Sequence, residues 1–167
     1  VYYKHKPMTK ELKATIAGIA GIYLKSVTSM MLNDRLKEIS EKPNAPFMSA
    51  YSYDANFIVS KTMDAFTTMA VSKEGETQKA LKALLQETER VNRFGFTESE
   101  YERAKANLLS MIESMYKERE KQKNNSYVEE YVSHFTDGGS ICGIETDYML
   151  LNKVAASTGI EQVNKYI

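Results

Sequence analysis

The sequence predicts an α+β fold in which helices cover one side of an antiparallel sheet. Three observations support this prediction: a short strand-like segment opens the chain, two segments with period-two alternation follow one long helical pattern, and only helical patterns follow Lys73. Strands and helices that are segregated along the chain are typical of α+β domains. Two or three strands make a thin sheet, and both chain ends lie inside predicted elements. We therefore expect residues 1–167 to be a single domain with an incomplete sheet, and a fragment of a longer multi-domain protein.

Length, charge and hydropathy limit the class of protein. The chain has 167 residues, which is enough for one hydrophobic core. Its 22 Lys and Arg balance its 22 Asp and Glu without a block of like charge, which argues against a nucleic-acid partner and against an anionic membrane. The longest mainly apolar run, residues 15–24, is about half of a bilayer span, so we expect no membrane-spanning helix. No signal-peptide pattern is visible at the N-terminus.

The first two elements are a strand and a long helix. Residues 1–5 form a short strand-like segment that ends at Pro7. Thr9 is then predicted to cap one amphipathic helix that runs until Pro43 and Pro46 stop it. Within this helix the sequence GIAG at 18–21 predicts close packing or a slight bend, without a break. The expected buried stripe is Leu12, Ile16, Ile19, Tyr23, Val27 and Met30, continued with a shift by Leu32, Leu36 and Ile39.

Two strands are predicted next. Residues 47–54 alternate with a period of two, which places Phe47, Tyr51 and Tyr53 on one face. A second strand spans about residues 61–73, with Met63, Ala65, Thr67, Met69 and Val71 on one face. Because Asp54 and Asn56 are typical of turns, we expect residues 54–56 to join the two strands as an antiparallel pair.

The rest of the chain is predicted to be helical, over 76–93, 97 to about 122, 126–137 and 144–155. The polar residues 121–125 are expected to fray. Ser126 with Glu129, and Thr158 with Glu161, are predicted helix starts. The expected buried residues of the first two helices are Ala80, Leu81, Leu84, Leu85, Thr88, Val91, Tyr101, Ala104, Leu108, Met111 and Met115, with the stem of Arg119. The third carries Tyr127, Val128, Tyr131, Val132 and Phe135.

A tight corner separates the first two of these helices. Gly95 follows the end of one helix, where a left-handed conformation is needed. Thr97 and Glu100 form a predicted capping box at the start of the next helix, and Phe96 is placed to pack on Tyr101. The corner is therefore expected to hold two helices at a fixed angle by local interactions.

The residues needed for hydrolytic chemistry are sparse in this sequence. Its two histidines, His5 and His134, lie in neither His-Glu-x-x-His nor His-x-x-Glu-His, and the pair Glu130 and His134 lacks further ligands nearby in sequence. There is no Gly-x-Ser-x-Gly motif and no Gly-rich phosphate loop. Cys142 is expected to be a half-buried small apolar residue. The sequence therefore predicts no catalytic residue and no metal ligand in this chain.

Three stretches of the sequence match a known family. They are MLNDRLKEISEKPNAPF at 31–47, ALKALLQETERVNRFGFTESEYERAKANLL at 80–109, and the region from HFTDGG to GIEQVN at 134–164. Together they resemble the pitrilysin/insulinase family of zinc metallopeptidases in its long bacterial single-chain form, and more narrowly the non-catalytic domain that follows the zinc-binding domain. The most specific parts are Arg35-Leu36 and the run from Glu87 to Lys105.

The resemblance implies a larger architecture and a division of labour. Four related domains form two bowl-like halves around a closed chamber, where peptides are cut by zinc bound to His-x-x-Glu-His and a distant Glu. That motif belongs to the preceding domain, so the resemblance implies zinc in the parent protein and none in this chain. Its implied partners are the other domains of the same chain and, for the parent, a peptide substrate. A periplasmic location also rests on the resemblance alone.

One departure from the family indicates the position of this domain. Many members carry Arg-Glu-Lys-x-Gly-Leu-Ala-Tyr after the Arg-Leu helix, and its Arg and Tyr help to hold the substrate backbone in the non-catalytic half. Here Ser40-Glu41-Lys42 stands where Arg-Glu-Lys would stand, and a hydroxyl cannot replace a guanidinium. The resemblance therefore implies the N-terminal half.

Three functional hypotheses remain open at this point. The first is a structural, chamber-forming domain of a zinc metalloendopeptidase, in which Phe47, Tyr51 and Tyr53 either line the chamber or, as we favour, pack under the helices. The second is a scaffold domain of a catalytically inactive relative. The third is a helical peptide- or protein-binding module that uses the Met-rich stretches at 29–31 and 110–116, although Met at helical spacing is more typical of a core.

Overall fold

A computed structural model of the chain describes residues 1–58, 60, 62–121, 124–139 and 141–167. Over these residues the elements are β1 (Tyr2–His5), α1 (Lys10–Lys13), α2 (Ile16–Ser40), β2 (Ser49–Asn56), β3 (Asp64–Val71), α3 (Thr77–Phe94), α4 (Glu98–Lys117), a 3-10 turn (Arg119–Lys121), α5 (Asn124–Asp137), α6 (Gly143–Ser157) and α7 (Ile160–Tyr166). None of the described helices is long and apolar enough to cross a membrane.

The sheet has the order β1-β3-β2 in the described residues, and both pairs are antiparallel. Tyr3 lies opposite Phe66, and Tyr51 lies opposite Met69. The helices lie on one side of this sheet, so the predicted α+β class is confirmed. The prediction that residues 54–56 form the turn is wrong, because β2 continues to Asn56. The side-chain amide of Asn56 donates to Asp64 Oδ1 at 3.0 Å. Asn56, although typical of turns, therefore joins the end of β2 to the start of β3.

The two faces of the sheet have different surroundings. On the helix side, the Asn33 side chain of α2 bonds both backbone groups of Ser52, accepting from its N–H at 2.6 Å and donating to its carbonyl at 3.0 Å. On the open side, large side chains remain exposed; they are Tyr2, Tyr51, Tyr53, Met69 and Val71. The sheet therefore has one covered and one uncovered face.

The predicted long helix is interrupted at Thr15. Thr9 caps α1 as predicted, but the Thr15 side chain then accepts from the N–H of Gly18 at 3.1 Å and starts a second helix. A Cβ on Gly18 would lie 2.2 Å from the carbonyl oxygen of Leu12, so the close packing predicted for this glycine is present. Because the helix restarts, Leu12 and Ile16 are exposed, contrary to the predicted stripe.

The core lies between α2, the sheet and the later helices. Two buried tyrosines form hydrogen bonds within this core. The hydroxyls of Tyr23 and Tyr101 are 2.9 Å apart, and the Tyr101 hydroxyl also donates to the carbonyl of Thr158 at 2.7 Å. This chain of hydrogen bonds joins α2, α4 and the end of α6. The largest fully buried side chains are Tyr23, Val27, Met31, Leu32, Leu36, Phe47, Thr68, Tyr101 and Val163.

Several predicted core positions are exposed. Ala80, Leu84 and Val91 of α3 are buried as predicted, but Leu81 and Leu85 face solvent and the charged Glu87 is buried instead. In α4, Tyr101, Ala104 and Leu108 are buried, whereas Met111 and Met115 are exposed. Each helix thus buries a narrower stripe than its apolar pattern suggests, because neighbouring elements cover only one side of it.

The C-terminal helices differ from prediction mainly at their starts. Helix α5 begins at Asn124, before the predicted cap at Ser126, and has no buried residue. Helix α7 begins after Gly159, whose N–H donates to the side chain of Gln162 at 2.8 Å, so Thr158 is not its cap. Cys142 is exposed, not half-buried. Part of the stretch predicted to fray, residues 122 and 123, lies outside the described residues.

Candidate functional site

The best-defined polar cluster in the protein is centred on Arg35, which lies on the same helix as the buried Met31, Leu32 and Leu36. Its side chain is only 10% exposed and points between α3 and α4. The guanidinium forms a two-pronged contact with Glu100, with Nε 2.5 Å from Oε1 and Nη2 2.9 Å from Oε2. It also donates to Glu87 Oε1 at 3.2 Å and to the carbonyl of Gly95 at 3.1 Å. We call these four residues the arginine cluster.

The charges in the arginine cluster stabilise one another. The Arg35 guanidinium, assisted by hydrogen bonds from Thr97, lowers the pKa of Glu100 to about 2 although partial burial opposes the shift. The hydrogen bond with Glu100 raises the pKa of Arg35 in turn. Arg90 adds a second cation, 3.5 Å from Glu87 Oε2, at the protein surface. Glu100 is therefore ionised at neutral pH, and both carboxylates are already paired with arginines, so neither is available as a proton donor or acceptor for a substrate.

The α3–α4 corner has the predicted glycine with positive φ and the predicted capping box, but Gly95 has a ψ of −160°, which lies outside the left-handed helical region that the sequence predicts. Gly95 has a φ of 65°, and its N–H donates to Val91 O at 2.8 Å. Thr97 and Glu100 form the predicted capping box. Phe96 is buried and its ring lies 4.7 Å from the Arg35 guanidinium, so it stacks on the arginine cluster. Its expected packing on Tyr101 stays a prediction.

The last helix also holds this corner. The side-chain amide of Asn164 accepts from the N–H of Phe96 at 2.8 Å and donates to the carbonyl of Phe96 at 3.0 Å. Its atoms lie within 2.8 Å of the position that a Cβ on Gly95 would take. Glycine is therefore required at position 95 for two reasons: its φ is positive, and an added Cβ would collide with Asn164. Sequence reasoning found the glycine and the capping box but missed the roles of Arg35 and Asn164, for which no local pattern exists.

A second charged cluster lies at one end of the sheet, on its helix side. His5 of β1, Asp54 of β2 and Asp64 of β3 place one ligand-type atom each within 4.8 Å of one another, and they form the only such group of three among the described residues. Lys25 of α2 lies 3.0 Å from Asp54 and 3.6 Å from Asp64. Because this ammonium pairs with both carboxylates from within the protein, we interpret the group as an ion-pair network that joins three strands to a helix.

The other histidine lies apart from this network. His134 is near the end of α5, and its Nδ1 is 2.5 Å from the carbonyl of Gly139. Glu130, the residue that sequence spacing pairs with His134, lies near Asp147 instead. Burial raises the pKa of the Asp147 carboxyl, and the negative charge of Glu130 raises it further. The described residues therefore do not bring the two histidines together as metal ligands.

A groove of about 1260 Å³ separates α3 from the β1 side of the sheet. Apolar residues of α3 form one wall, including the exposed Leu81, Leu85 and Phe94. Tyr3 and His5 of β1 lie on the opposite wall. The groove has room for a further segment of chain, and nothing in it forms a nucleophile with an adjacent base.

The three residues proposed as chamber-lining lie in two environments. Phe47 is fully buried in the core just before β2, so packing is its role. Tyr51 and Tyr53 are 46% and 40% exposed on the open face of the sheet, where their rings stack 6.2 Å apart. The expectation that all three pack under the helices is therefore wrong for the two tyrosines, because Phe47 precedes the strand and only the tyrosines follow its alternation.

Comparisons with known proteins give one consistent result. No family model matches this chain. A zinc protease of the PQQL-like type from Arabidopsis thaliana is 26% identical over 166 residues, which is 99% of this chain but 14% of that protein. The chain thus spans a small part of the relative it matches.

Solved structures share its fold. The periplasmic protease PqqL from Escherichia coli has a TM-score of 0.82 at 14% identity, over 98% of this chain and 18% of PqqL. The structure of the first half of PqqL gives the same TM-score, over 34% of its length. A predicted insulinase-family protease from Yersinia pestis also reaches 0.82, at 8% identity, over 99% of this chain and 35% of its own. An inactive peptidase domain from Bordetella parapertussis reaches 0.60, at 12% identity, over 98% of this chain and 79% of its own.

The residues that carry the family resemblance now have a structural explanation. Arg35, Glu87, Gly95 and Glu100 come from the two most specific stretches of sequence and meet in the arginine cluster. The match to a zinc protease covers almost the whole chain, and the fold is shared with PqqL and an insulinase-family protease. The comparisons therefore confirm that this chain resembles, in sequence and in fold, a domain of the pitrilysin/insulinase family of zinc proteases.

Proposed function

We propose that this chain is a non-catalytic, chamber-forming domain of a zinc-dependent metalloendopeptidase. The observation that carries the proposal is the match along the whole chain to a zinc protease seven times as long, together with the fold shared with PqqL. The polar groups of the chain support it, because the arginine cluster and the Lys25 network are internally paired. In this proposal the domain forms part of the wall of the substrate chamber, and another domain of the same protein supplies His-x-x-Glu-His and zinc.

The domain belongs, in this proposal, to the N-terminal half of its parent. Two observations support this position. Ser40 replaces the substrate-gripping arginine expected in the other half, and the first half of PqqL contains a domain with a TM-score of 0.82 to this one. The open face of the sheet, with Tyr51 and Tyr53, would then face the chamber and contact peptide substrate. The periplasmic location of PqqL supports an exported parent.

Sequencing the gene on both sides of the codons for Val1 and Ile167 is the first test. The proposal expects His-x-x-Glu-His upstream, in a separate domain, and an export signal at the start of the open reading frame. An open reading frame without a zinc motif would favour the second hypothesis, a scaffold in an inactive relative. That hypothesis is supported by the fold shared with an inactive peptidase domain.

Metal analysis and peptide cleavage form the second test. The purified chain is expected to bind no stoichiometric zinc by atomic absorption and to cleave no fluorogenic peptide, whereas the longer protein does both. One tightly bound zinc per isolated chain, lost in His134→Ala or His5→Ala, would overturn the proposal that another domain binds the zinc. Activity of the highly purified chain alone would do so as well.

A binding module is supported by a different observation. Five apolar residues of α5 are exposed, namely Tyr127, Val128, Tyr131, Val132 and Phe135, and Met111 and Met115 of α4 are exposed as well. The same surfaces are expected of a domain separated from its neighbours. Adding the flanking domains in one polypeptide distinguishes the two, because only a neighbouring domain would protect these residues from solvent without an added partner.

A further inference from the structure

The imidazole of His5 is placed between two hydrogen-bond acceptors. Its Nδ1 lies 3.0 Å from the carbonyl oxygen of Lys6, and its Nε2 lies 3.1 Å from Asp54 Oδ1. A carbonyl and a carboxylate both accept, so each ring nitrogen must donate to make both bonds. A neutral imidazole carries a single N–H and can satisfy only one of them. The geometry therefore matches the doubly protonated imidazolium.

The charges of the groups that contact one another in this network balance when His5 takes this form. Asp54 on β2 and Asp64 on β3 contribute two negative charges, and Lys25 on α2 contributes one positive charge. An imidazolium at His5 supplies the second. From α7, Tyr166 also faces the network: burial and then the charge of Asp54 raise its pKa to about 12, so it stays neutral at physiological pH. The remaining charged groups beside His5 are Lys4 and Lys6 of its own segment, and the Lys4 ammonium lies over the ring of Phe57, 4.1 Å from its centroid.

The hydrogen bond to Asp54 spans the sheet. His5 is the last residue of the edge strand β1, whose paired neighbour is β3, while Asp54 belongs to β2 beyond it. Strand β1 has four paired residues, from Tyr2 to His5, and the same strand forms one wall of the groove beside α3. A change at His5 therefore acts at the end of a short edge strand, whose other contacts are its pairing with β3, the bond from Val1 to Thr68 and the ring contacts of Tyr2, Tyr3 and Lys4.

We propose that His5 is a pH-sensitive latch, which as an imidazolium fastens the end of edge strand β1 to β2 and releases it when the proton is lost. The proposal is independent of the role assigned to the whole domain. The sign follows from the hydrogen bonds: the latch is closed when both ring nitrogens carry a proton and open when one proton is lost, so raising the pH opens it.

Amide hydrogen exchange of residues 2–5 tests the latch in the purified chain. After correction for the intrinsic pH dependence of exchange, we expect protection of these amides to fall roughly tenfold between pH 5.5 and pH 8.0, as expected for loss of one charge-assisted hydrogen bond. His5→Gln should show weak protection with no pH dependence, and His134→Gln should keep the wild-type profile. Equal protection of the wild-type strand at both pH values, or an unchanged profile in His5→Gln, would overturn the proposal.

A measurement on the unmodified chain guards against a variant that fails to fold. The ring ¹⁵N signals of His5, assigned by comparison with His134→Gln, should show both nitrogens protonated at pH 5.5. A neutral ring at that pH would overturn the latch even if the strand loosens at high pH for another reason.

Discussion

The side chain of Arg35 joins three helices, α2, α3 and α4, of this protein. Its guanidinium contacts Glu100, Glu87 and the Gly95 carbonyl from a helix that lies more than fifty residues earlier in the chain. A planar group with five donors can make these contacts at once, which the ammonium of a lysine cannot do. The residue therefore fixes the angle between α3 and α4 from the side of α2.

Replacing Arg35 with Met should destabilise the protein by about 3 to 5 kcal/mol. The reason is that the partly buried Glu100 would lose its cation, and the buried Glu87 would keep only the exposed Arg90. Urea denaturation at pH 7 measures the loss. Adding Glu87→Gln and Glu100→Gln to Arg35→Met should recover part of it, because the uncompensated charges are then gone. A single Arg35→Met variant as stable as the wild type would contradict this account of the cluster.

Glu100 makes the free energy of unfolding depend on pH in the acidic range. Because its pKa in the folded protein is about 2, below the ordinary value, its contribution is complete above the unfolded value and is lost as the pH falls through about 2. We expect a loss of up to about 3 kcal/mol between pH 6 and pH 2 from this group. Denaturation curves over this range measure it, and Glu100→Gln should show a shallower decline. Parallel pH profiles for the two proteins would exclude the effect.

Gly95 offers a prediction with a matched control. Gly95→Val should cost about 2 to 4 kcal/mol, since it combines a positive φ of 65° with a collision against Asn164. Gly75→Val should cost about 1 to 2 kcal/mol, because Gly75 has a similar φ of 73° but no atom within 4 Å of an added Cβ. The difference in melting temperature between the two variants reports the collision. Equal losses would show that backbone strain alone decides both.

At the scale of elements, α3 shows how a helix buries less than its sequence pattern offers. Leu84 is buried and Leu81, three residues earlier, is exposed beside the groove. We expect Leu84→Ala to cost about 2 to 4 kcal/mol and Leu81→Ala about 0.5 kcal/mol or less. Chemical denaturation of both variants measures the contrast. Similar losses would mean that Leu81 is covered in solution.

Element types could be predicted from local patterns, and boundaries only where local chemistry decides them. Thr97 and Glu100 form a capping box within four residues, so the start of α4 was predictable. The interruption at Thr15 was not, because threonine occurs inside helices as well as at their starts, and the contact of Gly18 with α1 decides between them. Likewise Asp54 and Asn56 favour turns by composition, but in this fold their partners are His5, Lys25 and Asp64.

The candidate site was predictable only in part for the same reason. Spacing alone identifies Gly95, whereas the pairing of Arg35 with Glu100 joins residues 65 positions apart. The resemblance pointed to both stretches without indicating that they touch. Periodicity also cannot tell which apolar stripe is covered, and α5 therefore has an apolar face with no buried residue.

At the scale of the whole molecule, uncovered apolar surfaces among the described residues include the open face of the sheet, one face of α5 and the α3 wall of the groove. If the open face lines a chamber, as proposed, Tyr51→Ala with Tyr53→Ala should lower kcat/KM for a peptide roughly two- to tenfold in the longer protein, the size expected from lost aromatic contacts. The matched control is Tyr131→Ala in α5. The tyrosine pair should leave the melting temperature of the isolated chain nearly unchanged, and unaltered cleavage kinetics would contradict the chamber assignment.

The bond between Asn164 and Phe96 has a consequence for the timing of biosynthesis. These residues are 68 positions apart, so at about 5 to 20 residues per second a ribosome completes Asn164 roughly 3 to 14 s after Phe96. Helices α3 and α4 can form meanwhile, with their capping box and with Arg35, which was synthesised earlier. The corner therefore lacks its contact with α7 until that helix emerges, and until then Arg35 and the capping box alone hold the angle between α3 and α4.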